Sequence, residues 1–354
     1  LQGDLYGTAQ IAKEKMTEFD AVLLTSFGGP EGPEDVEPFL RNVAKGRDIP
    51  EKRIREVEAQ YGLFGGVSPI NKQNRDLIKA LKSDLHANGL KIPIYFGNRN
   101  WEPYIGDTLQ QLYEDGKRNI LAVVTSAFGS YSGCRQYQED LDAAVKGLGV
   151  TDLNIEKIRL YWNHPGFFQA MCEQLRHTLS LLSPEDRDQT RIVFTAHSIP
   201  TAWDRSNPYK SQLNKFAYQL ANTVAPELEW DLAFQSRSGP PSVPWLEPDI
   251  LDHLDFLEGE GVNSVVITPI GFISDHMEVM FDLDTEAVTH AQKLDIKVLR
   301  TPTVGTHPDF VSGLRQLIQE RINNLDPLAV FDEPWVCTPT CCSVAQRPSS
   351  GISK

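Results

Sequence analysis

The stretch DAVLLTSFGGPEGPEDVEPFL (20–40) opens on an unbroken apolar run, breaks at Gly28, Gly29 and Pro30, and continues with helix-start chemistry. A run without polar alternation suits a strand covered on both faces, the environment of a parallel sheet. Apolar β-rich runs, most of them likewise unbroken, recur at 92–97 (IPIYFG), 119–125 (NILAVVT), 154–162 (NIEKIRLYW), 191–196 (RIVFTA), 230–236 (WDLAFQS), 263–272 (NSVVITPIGF) and 296–300 (IKVLR). Amphipathic helical segments lie between them, at 71–85, 137–148, 166–182 and 307–322. This alternation predicts an α/β protein of two doubly wound Rossmann-like domains, each with a four-stranded parallel sheet, and a cleft at the strand carboxyl ends. The strands divide near residue 150. The expected organisation is a first domain over 19–150, a second over 151–304, a helix at 305–326 packing back on the first, and a cysteine-containing tail at 327–354. Residues 1–18 read as a leader or extension ahead of the fold.

A chain of 354 residues can bury two sizeable cores. Its formal charge of −14, from 34 Lys and Arg against 48 Asp and Glu, argues against nucleic acid or an anionic membrane as the main partner. No apolar run is long enough to span a bilayer, and the expected location is the cytoplasm.

Four features carry chemistry. The Gly28–Pro30 turn reads equally as a tight turn needing positive φ or as a ligand-facing loop, with neither GxGxxG nor GKS/T spacing to decide it. RIVFTA runs directly into His197, placing an imidazole at the end of a parallel strand, where α/β folds bind ligands; the neighbouring Ser198 lacks a GxSxG context. In ITPIGFISDHMEVMFDLDTEAV, Glu278, Asp282 and Glu286 recur every four residues and form a carboxylate stripe on one helical face, costly unless a cation sits on it. Asp275, His276 and Asp284 crowd the same stretch; oxygen and imidazole donors suit a borderline divalent ion such as Fe²⁺. Finally, Cys337, Cys341 and Cys342 cluster in the tail, a spacing that suits zinc or an iron–sulfur cluster, while Cys172 falls at an apolar helix position suited to packing.

The stretches LLTSFGGPEGPEDV (23–36), YGLFGGVSPIN (61–71), IYFGNRNWEPYI (94–105), FTAHSIP (194–200), FQSRSGPPSVPWLEPD (234–249) and PIGFISDHMEVMFDLD (269–284) closely resemble the ferrochelatases, over about 19–325. Within that family the sequence is similar to the coproporphyrin III ferrochelatases of high-GC Gram-positive bacteria. The resemblance implies the class II chelatase fold and an enzyme that inserts ferrous iron into a porphyrin. It makes His197 and Glu278 the catalytic pair facing each other across the macrocycle, and Asp282 and Glu286 an acidic ridge that serves as a route for iron or an exit for protons. Which of His197 and Glu278 takes the pyrrole protons stays open, with His197 as metal contact and proton acceptor the working assignment. Porphyrin contacts are expected at Ser68 and Tyr137, and with less support at Tyr61, Arg47 and Lys45. Phe27 stands where some bacterial relatives carry an iron-ligating tyrosine; a phenyl ring supplies a wall but no ligand. By the same resemblance, Cys134 joins Cys337, Cys341 and Cys342 as holders of a [2Fe–2S] cluster.

The segment NVAKGRDIPEKRIREVEAQ (42–60) is strongly polar where membrane-associated relatives carry an apolar lip, which favours coproporphyrin III, with its four carboxylates, over protoporphyrin IX. Rival readings are a non-catalytic porphyrin binder and a cobalt chelatase acting on a corrin precursor. His197 with Glu278 argues against the first, and the match through 234–249 against the second. The expected partners are porphyrin and ferrous iron, with the monomeric enzyme handing its product transiently to a coproheme decarboxylase.

Overall fold

The computed structural model describes residues 18–46, 49–239, 241–338 and 341–343. Strands β1 (Ala21–Ser26), β2 (Ile94–Asn98), β3 (Asn119–Val124) and β4 (Asn154–Lys157) form one sheet in the order β2-β1-β3-β4. Strands β5 (Thr190–His197), β6 (Trp230–Gln235), β7 (Ser264–Thr268) and β8 (Lys297–Arg300) form the other, in the order β6-β5-β7-β8. Every pairing is parallel. The two doubly wound sheets are those anticipated from the apolar runs.

Side-chain alternation along each central strand divides the core. Val22 and Leu24 of β1, Leu121 and Val123 of β3, Ile192 and Phe194 of β5, and Val266 of β7 face one apolar cluster common to both sheets. Phe167 stacks on Phe216 inside it, ring centroids 5.2 Å apart. The opposite faces, with Ala21, Ile120, Val193 and Ile267, are covered by separate smaller clusters.

Two expectations change. The boundary near residue 150 falls one strand short, because β4 pairs with β3 from Asn119↔Asn154 to Ala122↔Lys157 and completes the first sheet. The run 154–162 is also not all strand. After Lys157 the chain leaves the sheet edge and buries Tyr161 and Trp162, with the Tyr161 hydroxyl donating to the Val124 carbonyl at 3.0 Å. Large aromatic rings are covered better in the core than on an edge strand. Likewise β7 stops at Thr268, where Pro269 has no N–H to continue the ladder.

The helix Pro308–Ile322 lies against the helices Ile70–Ala87 and Pro165–Ser180, and Arg315 Nε donates to Asp84 at 2.6 Å. Its crossing with Pro165–Ser180 is made by glycine on glycine. A Cβ on Gly166 would lie 2.6 Å from Gly313 Cα and collide with the Asp309 carbonyl. Gly166→Ala is therefore expected to lower stability by about 1–3 kcal/mol. Thermal unfolding reads this as a lower midpoint, and an unchanged midpoint would show that the helices separate freely.

Candidate active site

β5 is the central strand whose neighbours β6 and β7 lie on opposite sides, so its carboxyl end is the topological switch point of the second sheet. His197 is its last residue. The loop leaving β7 brings Glu278 back to the same place, with His197 Nε2 3.6 Å from Glu278 Oε1 and the two side chains 30% and 44% exposed. His197 Nδ1 is bonded to the Ser198 carbonyl, which can only accept, so Nδ1 carries a proton and Nε2 faces the carboxylate. The Tyr209 hydroxyl donates to the His197 carbonyl at 3.1 Å. Gln235, the cross-strand partner of His197, donates to the Glu278 carbonyl at 2.6 Å and accepts the Ser198 N–H at 2.8 Å. Gln235 therefore ties the two sides of the pair together. It shows no motif of its own in the sequence, and only the parallel register places it there.

Burial works against charge on His197, but the Glu278 carboxylate outweighs it, helped by the Ser198 carbonyl and Asp282, and the imidazole pKa rises. Burial likewise pushes Glu278 up, and His197 with His276 pulls it further down. Each partner thus favours the charged form of the other, imidazolium against carboxylate. Asp282 is different. Burial, with Glu278 and Glu286 close by, raises it to about 7 despite the hydrogen bond that its carboxylate accepts from Ser236. Burial and Asp249 also raise Glu286.

The stripe rests on a helix that changes pitch. Glu278 lies in the short α-helical turn Met277–Met280, which the π-helical segment Asp282–Ala287 follows, with the Glu286 N–H bonded to the Phe281 carbonyl at 2.9 Å. In a regular α-helix, side chains eight residues apart drift about 80° around the axis. The wider turn unwinds part of that drift and keeps the carboxylates in line.

The wider acidic region resolves into pairs. Asp275 accepts from Arg300 at 2.7 Å, Asp284 makes a two-pronged contact with the same guanidinium, and His276 Nδ1 accepts the Glu278 N–H at 3.1 Å. These three groups, read from sequence as cation-attracting, are committed to the protein. Elsewhere Glu173, His307 and Asp309 bring donor atoms together. There His307 Nδ1 accepts the Asp309 N–H, so neutral His307 bears its proton on Nε2, 3.2 Å from Glu173, and has no lone pair free for a metal.

The first sheet contributes the opposite wall. Phe27, 37% exposed, meets Phe39 edge to face, and Phe39 meets Tyr61 and Trp101 in turn. Met277 and Phe281 of the stripe helix pack against this group, which brings Tyr61 close enough to Glu278 to feel its charge. Gln73 clasps the two halves: its amide donates to the Asp275 carbonyl at 3.2 Å and accepts the Asp275 N–H at 2.9 Å. Trp101 and Gln73 drew no attention in the sequence. Ser68 is buried behind Gly29, where a Cβ would lie 2.6 Å from that of Ser68, and Gly28 has φ +84°. The glycine turn is thus built for tight turning and close packing. Tyr137 is buried, with the Arg99 guanidinium over its ring at 4.8 Å. Lys45 is exposed, and Arg47 lies outside the described residues.

The four cysteines picked out as a set do meet. Cys134 sits in the π-helical turn Tyr131–Arg135, and Cys337, Cys341 and Cys342 come close enough to it and to one another to influence each other's ionisation. Hydrogen bonding towards Cys337 and Cys342, with the charge of Lys157, pulls the Cys134 pKa down, and hydrogen bonding towards Cys134, with burial and its charge, pushes Cys337 and Cys342 up. The tail reaches this point across both halves. Asn163 donates to the carbonyls of Phe331 and Glu333 at 2.9 and 3.1 Å, and Ser206 donates to that of Ser343 at 3.0 Å. Cys172 is buried in the core.

The profile of the ferrochelatase family matches residues 19–322. The chain belongs to that family. It is 50% identical over 320 residues to the coproporphyrin III ferrochelatase of Streptomyces coelicolor, covering 86% of this chain and 85% of that one. It is 46% identical to a ferrochelatase of Rhodopirellula baltica, over 94% of this chain and 96% of that one, and 44% identical to the coproporphyrin III ferrochelatase of Nocardia farcinica, over 94% and 98%. Among solved structures it resembles SirB of Bacillus subtilis, determined with Fe³⁺, at a TM-score of 0.55 and 14% identity over 86% of this chain and 96% of that one, a likeness of fold. The family's class II chelatase fold is the one described above.

If the Glu278 carboxylate is what holds the proton on His197, Glu278→Gln leaves burial as the dominant influence. The imidazole of that variant is expected to titrate below that of the parent, read by NMR of the His197 ring. An unmoved titration would remove the ion pair.

Proposed function

We propose that the chain is a coproporphyrin III ferrochelatase, a lyase that inserts ferrous iron into coproporphyrin III to give coproheme in haem biosynthesis. The observation that carries this reading is the facing pair of His197 and Glu278, with a carboxyl that titrates near neutrality one turn beyond it. Metallation has to strip water from Fe²⁺, hold the macrocycle and remove its pyrrole protons. In this reading the resting imidazolium is the counter-charge of Glu278. A ferrous ion arriving beside the carboxylate takes over that role, and His197 gives up its proton and becomes a base at Nε2. Asp282 receives protons next, and Glu286 passes them to solvent. A group that keeps its proton near neutrality, as Asp282 does, is a good carrier and a poor ligand for a divalent ion, and Glu286 is shifted in the same direction, so the stripe is read as a proton exit rather than an iron entrance.

Phe27, backed by the buried Phe39 and Tyr61 and by Trp101, supplies the apolar wall for the macrocycle. The four carboxylates of coproporphyrin suit the polar mouth, where Lys52, Arg53 and Arg55 stand exposed on the helix Glu51–Gly62. The names of the Streptomyces and Nocardia relatives point to the same substrate. Coordination of product iron falls to His197, since Phe27 has no donor. The same reading has a cytoplasmic monomer handing coproheme to a decarboxylase.

The thiol set is read as the holder of a [2Fe–2S] cluster through Cys134, Cys337, Cys341 and Cys342. An all-sulfur donor set fits such a cluster, and iron cations would offset the repulsion that keeps the later thiols protonated. When bound, the cluster supplies a one-electron centre; no step of insertion runs through it.

The test is anaerobic ferrous insertion, followed by loss of free-porphyrin fluorescence with coproporphyrin III and protoporphyrin IX side by side. Preference for coproporphyrin is expected. Preference for protoporphyrin would overturn the substrate, and tight binding without turnover of either would make the chain a porphyrin-binding protein. His197→Ala is expected to abolish insertion while still binding porphyrin; near-normal turnover would end its role. Because a proton acceptor must be unprotonated, turnover should rise with pH through about 7, and Asp282→Asn should remove that limb. A limb that persists in the variant would assign it to another group.

A further inference from the structure

Lys157 is the last residue of β4, the edge strand of the first sheet. Its side chain turns towards the π-helical turn that carries Cys134, and Nζ donates to the Cys134 carbonyl at 3.0 Å and to Cys134 Sγ at 3.5 Å. Among the described residues no carboxylate lies within ion-pair distance of this ammonium, although the protein carries an excess of acidic side chains. The anion opposite Lys157 is therefore the cysteine sulfur. A half-buried cation is held where its natural partner is a thiolate.

We propose that Lys157 is the charge-compensating residue of the four-cysteine site, setting the reduction potential of the bound cluster and how firmly it is retained. The inference rests on the cluster reading given above. Reducing a thiolate-ligated cluster by one electron adds negative charge at the sulfurs, and a cation bonded to a ligand sulfur stabilises the reduced form more than the oxidised one. Lys157 thus raises the potential. It also lowers the repulsion among four thiolates brought to one place, which slows release of iron. The contact with the Cys134 carbonyl fixes the ammonium on the ligand residue itself, so the effect is local to that sulfur.

The experiment compares the full chain with Lys157→Gln, which keeps a donor but loses the charge, and with Lys157→Arg, which keeps the charge. All three are prepared anaerobically and, where needed, reconstituted with ferrous iron and sulfide. Iron and acid-labile sulfide are counted per chain, the midpoint potential is taken from a spectroscopic titration with dithionite, and iron loss is timed against a ferrous chelator. Expected are a more negative midpoint and several-fold faster loss in Lys157→Gln, with both restored towards the parent in Lys157→Arg. Equal midpoints and equal rates in all three, with labile sulfide present, would overturn the role of Lys157 and leave the cluster standing. A parent chain without labile sulfide after reconstitution would overturn the cluster reading itself, and the inference with it.

Discussion

Among the described residues each strand pair is parallel, so every connection between strands must carry the chain back over the sheet before the next strand begins. That constraint places all the carboxyl ends of a sheet on one side and opens a crevice where successive connections part. In the second sheet the crevice falls at β5, and His197 is where the strand gives out. Glu278 reaches it because the connection after β7 starts on the neighbouring strand. The two residues are eighty-one positions apart in the sequence (278 − 197) and adjacent in space for topological reasons alone.

The same constraint requires both faces of each sheet to be covered. One face of each meets the other sheet's helices in a common apolar cluster, and the other lies under its own helices. Because the inner cluster is shared, the wall bearing Phe27, Phe39 and Trp101 and the floor bearing His197 belong to one packed body. The Gln73 clasp and the contacts of Met277 and Phe281 fix their separation at the rim. A rigid frame suits a site that must hold a flat ligand against a fixed pair of groups.

What could be read from the sequence was what repeats or clusters locally. Apolar runs, most of them unbroken, marked the eight strands of the described residues, and His197, Glu278 and the carboxylates at four-residue spacing stood out by type and position. What stayed hidden depends on partners far along the chain. Gln235 acquires its place only through parallel register, and Tyr209 only through a backbone carbonyl. Asp275 and Asp284 looked available for a cation until Arg300, on the edge strand β8, was seen to hold both. The end of β4 was missed because Tyr161 and Trp162 suit a strand by propensity, yet are drawn into the core by burial.

The thiol set joins points far apart along the polymer. Cys134 and Cys337 are about two hundred residues apart, so any bond tying them through a common centre closes almost the whole of the second half of the protein into a ring. A closure of that length removes unfolded-state entropy equivalent to about 5 kcal/mol at room temperature, by the chain-entropy treatment used for disulfides. That is comparable with the entire net stability of many domains. Whatever else it does, a centre held by these cysteines makes the unfolded chain smaller, and the cleft inherits that protection although none of its own residues takes part.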